Sequence, residues 1–100
     1  MFIERIAFDS ANGNLYVPIL HNYTVTVISG KNNTVLHDPI HVGSYPIGIV
    51  FDSANGNLYV TNFYNNTVSV ISGKNNTVVG GPITVLQKRH GNSSRETSEM

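Results

Sequence analysis

The chain has 100 residues, with six Lys and Arg against six Asp and Glu, four His and no Cys. The balanced charge, with no basic stripe, argues against nucleic acid as a partner. The lack of thiols excludes disulfides and thiolate metal sites, and no apolar run approaches the roughly 20 residues that cross a bilayer.

The N-terminal Met1-Phe2-Ile3-Glu4-Arg5-Ile6 has neither a basic leader nor a long apolar core, so any export signal is expected outside this sequence. An apolar strand over about residues 3–8 then meets Asp9-Ser10-Ala11-Asn12-Gly13-Asn14, and Asn-Gly between alternating apolar runs is the strongest local signal for a β-hairpin. Further strands are predicted at 14–17, 24–29 and 34–42. Pro18 lacks an amide donor, so the second strand is expected to stop at or before it.

The ten residues Phe8 to Val17 recur letter for letter as Phe51 to Val60, an offset of 43 that also relates Val25 to Val68, Gly30 to Gly73 and Pro39 to Pro82. Such a period is typical of propeller blades, and identity at about two-thirds of positions between Ile6 and Val42 and their partners marks a duplication within a stacked array. The second unit is predicted to place strands at 47–51, 57–61, 67–72 and 77–85, the last interrupted near Gly80-Gly81-Pro82. The expected fold class is therefore all-β: two four-stranded antiparallel blades of a β-propeller, partial and not closed within one chain. The boundaries are residues 1–43 for the first blade, 44–86 for the second and 87–100 for a polar, aperiodic tail read as disordered. Two blades share a single interface, so such a chain is expected to need further blades or self-association.

At Tyr59-Val60-Thr61-Asn62 the unit resembles the YVTN β-propeller repeat, named after that tetrapeptide. The surrounding Pro46-x-Gly48-Ile49-Val50-Phe51-Asp52, Asn55-Gly56-Asn57-Leu58 and Asn66-Thr67-Val68-Ser69-Val70-Ile71 strengthen the likeness, which covers Ile6 to Val85. Unit one departs from it, reading Tyr16-Val17-Pro18-Ile19. The resemblance implies an innermost first strand lining a central channel and an outermost fourth strand. Similar repeats occur in archaeal surface-layer and bacterial cell-surface proteins; related propellers include quinoprotein dehydrogenase subunits and lactonase-like enzymes.

The candidate chemistry is sparse. Asp9 and Asp52 recur where a strand meets a turn, and their carboxylates are read as turn-fixing acceptors rather than as a catalytic pair, with Gly13 and Gly56 supplying the positive φ that the turn needs. His37 and His41 share a face but have no counterparts in unit two and no third ligand nearby, so no metal site is assigned. Ser29 and Ser72 lack a nucleophile elbow. Asn-x-Ser/Thr triplets occur at Asn22, Asn32, Asn65, Asn75 and Asn92, the first four in expected turns, where glycosylation would fall on export.

These readings lead to a non-enzymatic structural, adhesive or binding scaffold, extracellular or at the cell surface. It needs no cofactor, and its partner would be further blades, an extracellular protein or a glycan. The alternatives are a fragment of a propeller enzyme and a truncated product without independent function.

Overall fold

The computed structural model describes residues 3–85, together with the backbone but not the side chain of His37. The predicted tail 87–100 and Asn92 lie outside the described residues. Those residues form two antiparallel sheets. The first holds β1 (Ala7–Asp9), β2 (Asn14–Ile19), β3 (Thr24–Ser29) and β4 (Thr34–His41) in simple sequential order. The second holds β5 (Pro46–Asp52), β6 (Asn57–Asn62), β7 (Thr67–Ser72), β8 (Thr77–Val78) and β9 (Ile83–Thr84). Both β8 and β9 pair with β7, so the interrupted fourth strand of unit two is one strand broken at Gly80, whose φ is +66°.

A ten-residue rhythm within each unit explains the meander. Positive φ occurs at Gly13, Tyr23 and Asn33, and again at Gly56, Asn66 and Asn76, so every tenth residue turns left-handed. Four of these turns close the same way: the amides of Gly13, Asn33, Gly56 and Asn76 donate to the carbonyls of Asp9, Ser29, Asp52 and Ser72 at 2.7–2.8 Å. Gly, with no Cβ, and Asn, whose short side chain tolerates this region, are the residues expected there. Tyr23 is the exception, at φ +58° after a 3-10 turn over Leu20–Asn22.

Two strand boundaries differ from expectation for a common reason. The strand β2 runs through Pro18 to Ile19, paired with β3 as Pro18↔Val25, whereas β1 pairs with β2 only as far as Ala7↔Tyr16. Proline is tolerated where the ladder on one side has ended. In unit two the same position is Thr61, whose Oγ1 accepts from the Gly48 amide at 2.9 Å and helps carry β5 back to Pro46. Pro18 offers neither an amide nor a hydroxyl, and residues 3–6 are accordingly not strand.

Side-chain alternation gives each sheet two faces. Unit one turns Ala7, Tyr16, Val25, Val27 and Ile40 toward unit two, which answers with Leu58, Val60 and Ile71; these eight buried residues form the core, with Leu36, Val42, Ile49 and Phe51 packed against it. We call the first set the clamp face and the second, including Ile49 and Phe51, the seat face. Burying each Val, Leu or Ile contributes about 1.5–3 kcal/mol, so the interface between units is the principal store of apolar stabilisation. The clamp face of unit two is turned away from unit one, as is the seat face of unit one, of which Val17 is nevertheless buried, Leu15 and Ile28 half-buried, and Ile6 and Phe8 exposed.

Candidate functional site

At one end of the interface, the first Asn-Gly turn grips the last hairpin of unit two. Asp9 is 1% exposed, and its Oδ1 accepts from the amides of Ala11 at 2.8 Å and Asn12 at 3.3 Å, which sets the turn. The turn aims Asn12 across the interface: its Nδ2 donates to the Gly73 carbonyl at 2.9 Å and to the Tyr16 hydroxyl at 3.0 Å. The Tyr16 hydroxyl in turn donates to Asn76 Oδ1. Burial pushes the Tyr16 hydroxyl above the usual tyrosine value of about 10, and the nearby Asp9 charge adds to that, against the opposing hydrogen bonds of Asn12 and Asn14. Gly73 is a requirement of this close approach, since a Cβ there would lie 2.7 Å from the Gly56 carbonyl oxygen and run into Asp9 Oδ2. Clefts of about 300–1,000 Å³ are of a size to hold small ligands; the groove between the two Asn-Gly turns measures about 540 Å³ and is lined by Asp9, Asn12, Asn55, Asn57, Gly73 and Lys74 among others.

In unit two the same turn is built alike, Asp52 Oδ1 accepting from the Ala54 amide at 2.9 Å and Asn55 Nδ2 donating to the Tyr59 hydroxyl at 2.9 Å. The expected turn residues Asp9, Gly13, Asp52 and Gly56 therefore sit in two matching turns, with φ of +79° at Gly13 and +78° at Gly56. The two aspartates stand in different units, each engaged with its own turn.

The opposite end of the molecule carries the linker between units. Asn62, 1% exposed, accepts from the Gly43 amide through Oδ1 at 3.1 Å and donates through Nδ2 to Thr67 Oγ1 at 3.1 Å and Ser69 Oγ at 3.0 Å. Asn65 Oδ1 accepts from the Ser44 amide at 2.6 Å, and the Phe63 amide donates to the Tyr45 carbonyl at 3.0 Å. Pinned in this way, Tyr45 takes a left-handed φ of +59° and stacks on Tyr64 with ring centroids 4.6 Å apart and planes 25° apart. Phe63 lies 6.2 Å and His21 5.9 Å from the same ring. Phe63 and Tyr64 are 60% and 64% exposed, so the cluster presents aromatic surface on a hydrogen-bonded base.

Sequence reasoning missed this patch, because Tyr45, Phe63 and Tyr64 lie in two segments that look like ordinary turns. The only signal was the aromatic pair in a turn otherwise made of Asn. Among the described residues, no group of three or more His, Asp or Glu is placed to hold a metal ion. Asn22, Asn32, Asn65 and Asn75 are all exposed and lie in or beside turns.

Comparison with known proteins bears on this architecture. Residues 44–71 match the NHL repeat. That repeat is a β-propeller repeat, and the matched segment runs from the linker through β5 and β6 into β7. No curated protein matches the chain. Among solved structures, the chain is similar to a protein titled Kuenenia stuttgartiensis Hydrazine Synthase, with a TM-score of 0.71 at 20% identity, over 80% of this chain and 22% of that one. At that identity the likeness concerns the fold: the chain has a propeller-type architecture and spans about a fifth of that neighbour's length.

Proposed function

We propose that the chain is a two-blade segment of YVTN type that acts as a non-enzymatic binding or adhesive scaffold at the cell surface, its partner an extracellular glycan or protein. The observation that supports this most directly is the aromatic cluster in which the exposed rings of Phe63 and Tyr64 pack on the half-buried Tyr45. Aromatic rings held in place lose little conformational freedom on binding, and they are enriched at recognition surfaces for that reason. The base of the patch is built for rigidity, since backbone and side-chain hydrogen bonds from Asn62, Asn65 and Phe63 fix the linker beneath it. The carboxylates of Asp9 and Asp52 are engaged with turn amides, and Asn12 and Tyr16 tie the two units together, which supports a scaffold rather than reacting groups.

The test is a binding screen of the whole chain against an array of surface polysaccharides and extracellular proteins, repeated with Phe63→Ser/Tyr64→Ser. A ligand retained by the parent and lost by the variant supports the reading. Equal binding by both would place recognition elsewhere.

A further inference from the structure

Several exposed apolar residues have counterparts 43 positions away that are packed in or against the core between units, and they fall on two surfaces. On unit two, Val50, Val79 and Ile83 are 60%, 48% and 50% exposed, while their counterparts Ala7, Leu36 and Ile40 are packed in the core between units. On unit one, Ile6 and Phe8 are 57% and 56% exposed, while Ile49 and Phe51 pack against that core. The first surface is the open clamp face and the second the open seat face.

The polar clamp is likewise half-filled at each end. Asp52, Asn55 and Tyr59 repeat Asp9, Asn12 and Tyr16, and they already hold the clamp conformation through the Asn55–Tyr59 bond of 2.9 Å. Among the described residues, however, nothing stands before them as Gly73 and Asn76 stand before Asn12 and Tyr16. Gly30 and Asn33 repeat Gly73 and Asn76, and Asn33 has the matching left-handed φ of +60° against +58°. A Cβ at Gly30 would meet atoms of Gly13 and Leu15 from its own unit, whereas one at Gly73 would also meet Asp9 of the neighbouring unit. Among the described residues, none takes over Gly30 the close position that Asp9 takes over Gly73.

We propose that a second copy of this chain docks head to tail on these edges, the clamp face of unit two covering the seat face of unit one in the next copy. In the new interface Asn55 donates to the Gly30 carbonyl and Tyr59 to Asn33, as Asn12 and Tyr16 do within the chain. The occupant follows from the repeat: each open edge nearly copies one half of an interface that this sequence already forms. Clamp and seat are different surfaces, so the contact is heterologous and propagates until a ring closes. Propellers close at about four to eight blades, which corresponds to two to four copies. This inference rests on the blade architecture alone, not on the adhesive role, so the binding screen above and the measurement below fail independently.

Light scattering coupled to size exclusion, on the whole chain over a range of concentrations, reads the mass as a multiple of 10.9 kDa. Two to four copies are expected. Phe8→Glu puts a negative charge on the open seat face and Val50→Glu a like charge on the open clamp face, both at exposed positions. Each variant alone is expected to be monomeric. Mixed in equal amounts they should form a dimer and no larger species, because the clamp face of Phe8→Glu and the seat face of Val50→Glu remain intact while the other two faces carry charges that repel. If either variant loses its β-sheet circular dichroism alone, recovery of that signal together with a dimer mass on mixing supports the pairing; a mixture that stays unfolded overturns it. A parent chain that is monomeric at every concentration also overturns it and leaves the edges to other blades of a longer protein. Assembly of Phe8→Glu at the parent's mass would show that the seat face is not used.

Discussion

Gly73→Ala is the substitution whose cost can be worked most directly from the interface. The added Cβ would lie 2.7 Å from the Gly56 carbonyl oxygen and would overlap Asp9 Oδ2. Neither neighbour can withdraw freely. The Gly56 carbonyl accepts the Gly73 amide at 3.1 Å, and Asp9 is buried and bonded to two turn amides. Relief therefore requires the hairpin of β7 and β8 to move away from β6 and from unit one. Overpacking of this kind costs about 1–3 kcal/mol, and weakening the Gly73 amide bond and the Asn12 bond to the Gly73 carbonyl adds about 1 kcal/mol for each. A destabilisation of about 3–5 kcal/mol is expected, and at about 4–8 °C per kcal/mol for a domain of this size the melting temperature should fall by at least about 12 °C. Gly81→Ala is the internal control. It has nothing within 4 Å of its Cβ position and no positive φ, so the change should be neutral or stabilising by a few tenths of a kcal/mol through the unfolded chain. Thermal and urea unfolding of both variants decides the matter. Equal melting temperatures for Gly73→Ala and Gly81→Ala would refute the close approach of Asp9 to the hairpin.

Three further outcomes follow from named contacts. Tyr23→Asn should raise stability by about 0.5–1 kcal/mol, since Tyr23 holds a left-handed φ where unit two has Asn66, and its ring is half exposed; an unchanged or lower melting temperature would count against that strain. Asn62→Ala should cost about 2–3 kcal/mol by leaving the Gly43 amide without its acceptor, with faster hydrogen exchange at Gly43 as the specific readout. The Tyr16 hydroxyl titrates above its unfolded value of about 10, so its contribution to stability is complete below that pH and is lost as pH rises through the higher folded value. Unfolding titrations should show this alkaline loss in the parent and a smaller one in Tyr16→Phe; identical pH profiles would exclude Tyr16 as the source.

The repeat and its hairpins were legible in the sequence because both depend on local chemistry. The 43-residue offset is a matter of letters, and the Asn-Gly turns are set by the few residues that accept positive φ, so strands β2, β3, β6 and β7 fall close to their predicted places. The break in the last strand was legible for the same reason, through Gly80, Gly81 and Pro82. Only the tertiary structure decided what lies across from each residue. Pro18 was expected to end its strand on the missing amide alone, but β1 stops short beside it, so the donor is not needed there. Asp9 and Asp52 are identical in sequence context, yet the first is closed over by Gly73 of the neighbouring unit while the second faces outward. Tyr45, Phe63 and Tyr64 became a patch only when the linker was drawn onto the β6–β7 turn by Asn62 and Asn65. A repeated sequence encodes the same surfaces twice, and which copy is buried depends on the neighbour that packs against it, a long-range contact that no local pattern carries.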